Sequence, residues 1–560
     1  MLMPSQPPSI EEPYFNLGLY SRPITTTSLE AQIWFDRGLL WTYAFNHEEA
    51  IRCFEYALEF DPQCIMALWG LAYALGPNYN KPWEAFGEGE RINHLQRASL
   101  AVTEAEALID PMEDTETEQE LIKALRRRYP SNTEAEDYEK WNQDYANYMS
   151  TLHITASRDL DIVALYADSL MNLTPWSLWD IHTNLPTEGA HTLEVKEILE
   201  SALALKFGND HPGLLHLYIH LMEMSPSPDS ALPIANRLRG LVPDAGHLEH
   251  MPTHLDVLCG DWESAITSNT SAIAADEKYL KVAGPLNFYS LYRAHNLHFK
   301  IYAAMFAGQY KIALETAEAI EQALPLELLQ VENPPMADWL ESFVGLKVHV
   351  FVRFGKWEHL LRIPLPENQE IYCVTTALLH YGRGIAFSVL GKLAEAKDSK
   401  KSFEESRAKV PDSRTLFNNT AKDILAIAAS MLSGEFSYRS GEIAMGFEYL
   451  QKALTQSDKL PYDEPWGWMQ PPRHAYGALL LEQGKVEEAK EVYAADLGLS
   501  DVLPRALRHP KNVWALHGYC ECLRRLGRRD QGLEAELEGM MGRTDVLVRA
   551  SCFCRREGGG

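Results

Sequence analysis

The sequence predicts an all-α fold, a solenoid of helix hairpins with aromatic loop insertions. Three observations predict it. Small and large apolar residues recur in a frame of about 34 residues, the signature of stacked hairpin repeats. Glycines punctuate the frame at matching offsets, as turn residues between helices do. A chain of 560 residues exceeds one ordinary core, so an array in which each repeat packs on its neighbours is the natural solution.

The first repeat is the clearest. Trp34, Gly38, Trp41, Ala50, Phe54, Ala57 and Pro62 stand at positions 4, 8, 11, 20, 24, 27 and 32 of a 34-residue unit. The small residues let two helices approach, the large ones fill the space between them, and the proline ends the second helix. This pattern resembles the tetratricopeptide repeat, which implies a right-handed α-solenoid with a concave groove. The frame returns from Pro212 (Ala231, Pro243), from Gly246 (Gly260, Ala265, Ala272) and from Ala294 (Gly308, Ala313). Weaker copies follow at Gly355, Gly391, Gly441 to Ala453, Gly484, and Trp514 with Gly518. The expected organisation is an N-terminal extension (1–28), a solenoid with a histidine-rich concave site (29–325), further repeats (326–545) and a flexible tail (546–560).

Two segments break the frame. Gly76 to Pro82 is rich in turn formers and reads as an ordered loop. Pro175 to His182, followed by Pro186 and Gly189, is a long aromatic connection. Loops of this kind inside a compact array often carry function. Tyr79, Trp176, Trp179 and His182 are the candidate substrate-pocket residues; the plainer alternative is that these aromatics cap apolar surface between irregular repeats.

Bulk properties exclude some classes. A net charge of -27 disfavours phosphate-backbone contacts, so no nucleic-acid partner is expected. There is no run of about 18 apolar residues, so no membrane span is expected, and the start, Met1 to Pro8, does not read as a secretory signal. The eight cysteines are scattered, which points to a reducing, cytoplasmic setting. The pairs Cys520/Cys522 and Cys552/Cys554 could take a soft metal, although the latter lies in the segment expected to fray.

The chemistry-bearing feature is a column of histidines. His216, His220 and Glu223 occupy positions 5, 9 and 12 of one repeat; His247, His250 and His254 occupy 2, 5 and 9 of the next; His295 and His298 occupy 2 and 5 of a third, with Tyr302 at 9. Spacings of three and four place each set on one helix face. In tetratricopeptide proteins these positions face the groove, so the resemblance implies that the side chains share a cavity. Neighbouring helices lie about 8–10 Å apart, close enough for ligands from several to converge. A lone histidine is usually structural; seven at inner positions of three adjacent helices are not explained that way. His349 and His182 are outer candidates, and His211 belongs to a helix boundary. Imidazole with one carboxylate suits Cu, Fe, Zn or Ni and not Mg or Ca.

The strings His211 to His220, Gly246 to His254 and His295 to Phe299 resemble a family of tetratricopeptide proteins from bacteria and fungi. So do Trp34 to Leu39, Ala44 to His47 and the Gly76-Pro-Asn loop. That resemblance covers roughly residues 30 to 320 and implies fold and site more than a reaction. The expected function is a metalloenzyme with one or two transition-metal ions, Cu or Fe ahead of Zn or Mn, that oxidises a small organic molecule. Its metal ligands are drawn from the eight residues above, and Glu223 and Tyr302 are its candidate catalytic groups. The alternatives are a tetratricopeptide scaffold for protein partners, with the C-terminal repeats as the docking face, a metal-dependent hydrolase using Glu223, or a metal-storage protein.

Overall fold

The computed structural model describes residues 10, 12–109, 116–135 and 137–556. Residues 1–9 and 11 of the expected N-terminal extension, and 557–560 of the expected tail, lie outside the described residues. Among the described residues the chain is helical almost throughout. The exceptions are two-residue strand pairs at Trp179–Asp180 with Leu185–Pro186 and at Thr415–Leu416 with Asn419–Thr420. No described helix is long and apolar enough to cross a membrane.

The chain divides into two compact units, Met1–Pro252 with Ala274–Tyr279, and Thr253–Ile273 with Leu280–Gly560. The boundary between the two units falls after Pro252. Repeat stacking is a nearest-neighbour affair, so the sequence frame runs through the boundary without marking it.

The first unit contains α1 (Leu29–Tyr43), α2 (His47–Phe60), α3 (Ile65–Ala74), α4 (Glu88–Leu108), α5 (Glu116–Arg128), α6 (Tyr138–Ala156), α7 (Leu160–Met171), α8 (Thr192–Leu203), α9 (Pro212–Glu223), α10 (Leu232–Leu238) and α11 (Gly246–His250). Ser28 caps α1 by accepting from the Ala31 amide, and Asn46 caps α2 by accepting from Glu49. Between them Phe45 takes the left-handed position after α1, with φ 55°, where glycine is usual. Phe54 of α2 is the wedge of the repeat. A Cβ at Gly38 would lie 2.7 Å from its ring, and one at Gly70 of α3 2.3 Å. The two glycines thus let three helices close on one buried phenylalanine.

The segment before α1 is a strap on this unit. Tyr14 donates to Glu49 at 2.8 Å and accepts from Trp41 at 2.9 Å. The Asn16 amide donates to Asp244 at 2.7 Å, and Arg22 pairs with Asp159 and Asp161.

The second unit takes in α12 (Pro252–Cys259) from Thr253 onward, most of α13 (Trp262–Ala283), α14 (Ser290–Phe306) and α15 (Tyr310–Ala323). Further hairpins follow, such as Cys373–Val389 with Leu393–Arg407 and Ala421–Arg439 with Ile443–Ser457. The expected flexible tail is corrected for residues up to 556. Val548, Ser551, Cys552 and Cys554 are buried. Ser551 donates to the His474 carbonyl at 2.8 Å, and Cys552 and Cys554 are joined in a disulfide. Apolar residues among the arginines find core partners here, including Phe553 against Trp514; a composition-based reading of a short C-terminus does not register that.

Gly70→Ala tests the wedge. The added methyl meets a ring held from two sides, so urea denaturation is expected to show a loss of about 1–3 kcal/mol. A variant as stable as the parent would mean that the hairpin does not close on Phe54.

Candidate metal centre

Helix α9 begins at Pro212 and is buried along its whole length. Its first turn is capped by His211, whose Nδ1 accepts from the Leu214 amide at 3.2 Å. The Nε2–H therefore points outward and meets Asp161 at 3.2 Å. Gly213 allows the helix to lie against α1, since a Cβ there would be 2.6 Å from the Tyr43 ring. One turn later His216 reaches the Tyr43 carbonyl with Nδ1, at 2.7 Å. A carbonyl only accepts, so Nδ1 carries the hydrogen and Nε2 carries the lone pair. His220, a further turn on, places Nδ1 3.0 Å from Glu223 Oε1. With the carboxylate accepting, its lone pair too is on Nε2.

Helix α11 supplies the third ring. His247 Nε2 lies 3.1 Å from His216 Nε2. One ligand atom from each of His216, His220 and His247 falls within 4.8 Å of the other two. The three side chains are 0–1% exposed. Two of the three imidazoles are oriented by an acceptor behind them, a backbone carbonyl and a carboxylate. That is the arrangement that fixes ring orientation and raises ligand basicity at metal sites. These residues can hold a metal ion.

Aromatic rings surround the group. Phe45 lies 4.4 Å from His216, and stacks near-parallel to His220 at 5.9 Å and His247 at 5.7 Å. Tyr79 is 4.9 Å from His220, and Trp176 meets the same ring edge-on at 5.9 Å. Phe45 and Trp176 both have left-handed backbone, φ 55° and 59°. For a bulky side chain that conformation costs of order 1–3 kcal/mol and persists where surrounding structure dictates it. Here it aims both rings at the imidazoles.

A buried network stands behind Tyr43. Asp161, at the start of α7, accepts from the hydroxyls of Tyr43 at 2.5 Å and Tyr20 at 2.7 Å, and from Arg22 at 2.6 Å. Burial alone would raise its pKa, but His211, Arg22 and the Tyr43 hydroxyl outweigh it and hold the carboxyl well below the usual range.

Other candidates fall differently. His250 is buried beside His247, ring centroids 6.1 Å apart, and is not in the group of three within this unit. Glu223 acts on His220. Trp179 donates to the Leu221 carbonyl at 2.7 Å, bracing α9. His182 is exposed on the turn between the short strands, so it does not wall a pocket; the tight hairpin turns it outward.

In the second unit His254 and His295 face each other through Nε2 at 3.5 Å. The Nδ1 of His254 is ion-paired with Glu464, which also accepts from Tyr462. His254 stacks on Phe299 at 5.0 Å, and Phe417, again left-handed with φ 47°, meets His295 edge-on at 4.9 Å. His298 is not part of this pair. Its Nε2 lies 2.8 Å from Met469 Sδ. Burial, helped by His349, pushes its pKa down to about 3, as befits a neutral ring in an apolar wall. Tyr302 is buried and packs on Phe306 at 4.5 Å and Trp262 at 6.2 Å. Position in the repeat cannot separate a ligand from a wall residue, because the neighbouring helices decide what each inner position meets.

Sequence reasoning missed Tyr43, Phe45, Asp161, Phe417 and Glu464. Phe45 lies within the Ala44 to His47 motif, which was a usable signal. Glu464 lies in a proline-bracketed loop with no histidine near it in sequence, and nothing pointed to it.

Comparison with known proteins agrees with the repeat. The tetratricopeptide repeat model matches residues 31–64, and the chain carries that repeat there. Among curated proteins none matches. Among solved structures the chain is similar to the Cut9–Hcn1 assembly of the APC/C, at 15% identity over 78% of this chain and 75% of that one, TM-score 0.29. It is similar to Ypp1 at 9% identity over 92% and 87%, TM-score 0.40. Yeast Tom70 gives 10% identity over 92% and 93%, TM-score 0.25.

Asp161→Asn tests the support beneath His216. The folded-state pKa is depressed, so the stabilisation is complete above the unfolded value, near 3.9, and is lost as pH falls through the folded one. The variant leaves Arg22 without its closest buried charge and is expected to lose about 3 kcal/mol at neutral pH. Its stability should also fall less steeply in acid. Urea denaturation across pH checks both; an unchanged acid limb would remove Asp161 from the account.

Proposed function

We propose that the first unit binds one transition-metal ion through His216, His220 and His247, and that the protein uses it as a metal-dependent enzyme on a small organic molecule. The observation that carries this is the convergence of three buried imidazoles, two of which turn Nδ1 to an acceptor so that the lone pair lies on Nε2. Three protein ligands leave coordination positions for water or substrate, the pattern of catalytic rather than structural sites. An all-imidazole set suits Cu, Fe or Zn, and oxidation is placed ahead of hydrolysis because Glu223 is engaged in holding His220. The bound ion would supply Lewis acidity or redox chemistry. The chain itself orients the imidazoles, supplies aromatic walls and excludes bulk water.

The second reading is a scaffold for protein partners, and the repeat at 31–64 supports it directly. Burial argues against the histidines serving that role, since rings that are 0–1% exposed cannot be touched by a docked peptide. Both uses can coexist if the partner docks on other surfaces.

Elemental analysis of tag-free protein separates the readings. Near-stoichiometric Cu, Fe, Mn or Zn is expected, and it is expected to be lost in His220→Ala. Glu223→Gln keeps an acceptor for His220 but weakens its basicity, so metal affinity should fall about 10–100-fold. Protein that takes up none of these ions after each is added back would overturn the metal reading and leave the scaffold. The scaffold reading in turn expects partner capture that His220→Ala does not change.

A further inference from the structure

His298 of α14 and His349 of the helix Leu346–Arg353 are 0% and 1% exposed. Neither ring is ion-paired or hydrogen-bonded to oxygen among the described residues, and Nδ1 of each is buried without a hydrogen-bond partner. Burial pushes both imidazole pKa values down to about 3, so both rings are neutral at ordinary pH. His349 lies close enough to act electrostatically on His298. Buried polar groups nearly always find a partner, and two neighbouring exceptions call for a cause.

The segment 468–470 lies against both rings. The Trp468 ring meets His349 edge-on at 4.8 Å, and Gln470 donates to the His349 carbonyl at 2.9 Å. Between them Met469, 0% exposed, places Sδ 2.8 Å from His298 Nε2. Thioether sulfur is only a weak hydrogen-bond acceptor. Yet this contact is tighter than the 3.1 Å between the facing Nε2 atoms of His216 and His247. Phe343 meets His298 edge-on at 5.4 Å, and Tyr381 meets Trp468 edge-on at 5.5 Å, so aromatic rings enclose the group. It offers two imidazoles and one thioether, all uncharged, with no carboxylate paired to either ring.

We propose that His298, His349 and Met469 hold a monovalent copper ion within the second unit. Thioether is a soft donor, and soft donors favour Cu(I). Charge points the same way. A divalent ion would bring two uncompensated charges into an apolar interior, whereas a monovalent one brings a single charge. Bonds of about 2.0–2.1 Å to nitrogen and about 2.3 Å to sulfur set Nε2 and Sδ about 3.6 Å apart in a tetrahedral arrangement. Rotation of the unbranched Met469 side chain supplies the difference. This site shares no ligand with the three-histidine centre of the first unit and does not rest on it.

The test is anaerobic titration of the full chain with Cu(I), competed against a chromophoric Cu(I) chelator, in His220→Ala, which removes the centre proposed for the first unit. Binding of Cu(I) is expected, with a sulfur neighbour at about 2.3 Å in the copper X-ray absorption spectrum. Equimolar Zn(II) is expected not to displace it. Met469→Leu keeps the side-chain volume, so the variant should fold. It is expected to lose the sulfur neighbour and to weaken Cu(I) by at least the about 10–100-fold that changes behind a ligand cost. His349→Phe is expected to weaken Cu(I) comparably, which a ring used only for packing would not do. If His220→Ala does not fold, the same Met469→Leu comparison in the parent is expected to show the loss of the sulfur neighbour. Copper bound through nitrogen alone, displacement by equimolar Zn(II), or unchanged affinity in Met469→Leu would overturn the site. Copper with a sulfur neighbour upholds it even if the first unit takes up no ion.

Discussion

A single carboxylate, that of Asp161, joins four parts of the first unit. It is the shared acceptor for Tyr43 at the end of α1, Tyr20 and Arg22 in the N-terminal strap, and His211 at the start of α9. The proposed metal centre hangs on that junction. The Tyr43 carbonyl orients His216, and Phe45, two residues on, stacks against His220 and His247. Any shift of the α1 terminus would therefore misalign the hydrogen-bonded ring and its aromatic cover together. Low local dielectric makes such a fully connected network strong, and makes a broken one costly.

The structure also concentrates unfavourable local conformations where the imidazoles are. Phe45, Trp176 and Phe417 are bulky residues with left-handed backbone, and each contacts at least one of the histidines. The second unit repeats the logic of the first with different residues, a carboxylate behind one imidazole and a left-handed phenylalanine against another. Backbone of this kind persists only where the surrounding structure dictates it.

Much of the fold was legible from the chain. The frame of Gly38, Phe54 and Pro62 is a local record of which helix faces must touch, and hairpins follow from it. The histidines of α9 were legible as a set because spacing of three or four residues guarantees a common face. Less legible was which inner position meets which. His216 and His220 gather with His247, at position 2 of the next repeat, while His298, also at position 5, faces Met469 in an apolar wall. The end of the chain was misread because its arginine-rich composition hid Phe553 and Ser551, which are packing residues.

What the sequence by itself determined was helix, turn and face, because these depend on neighbours within a few residues. Tertiary structure decided what each face meets: the Tyr43 carbonyl behind His216, Glu464 behind His254, and Arg128 buried against the rings of Tyr73 and Tyr145. Those relations join residues from separate parts of the chain, and their stability comes from excluding water around groups that no local pattern brings together.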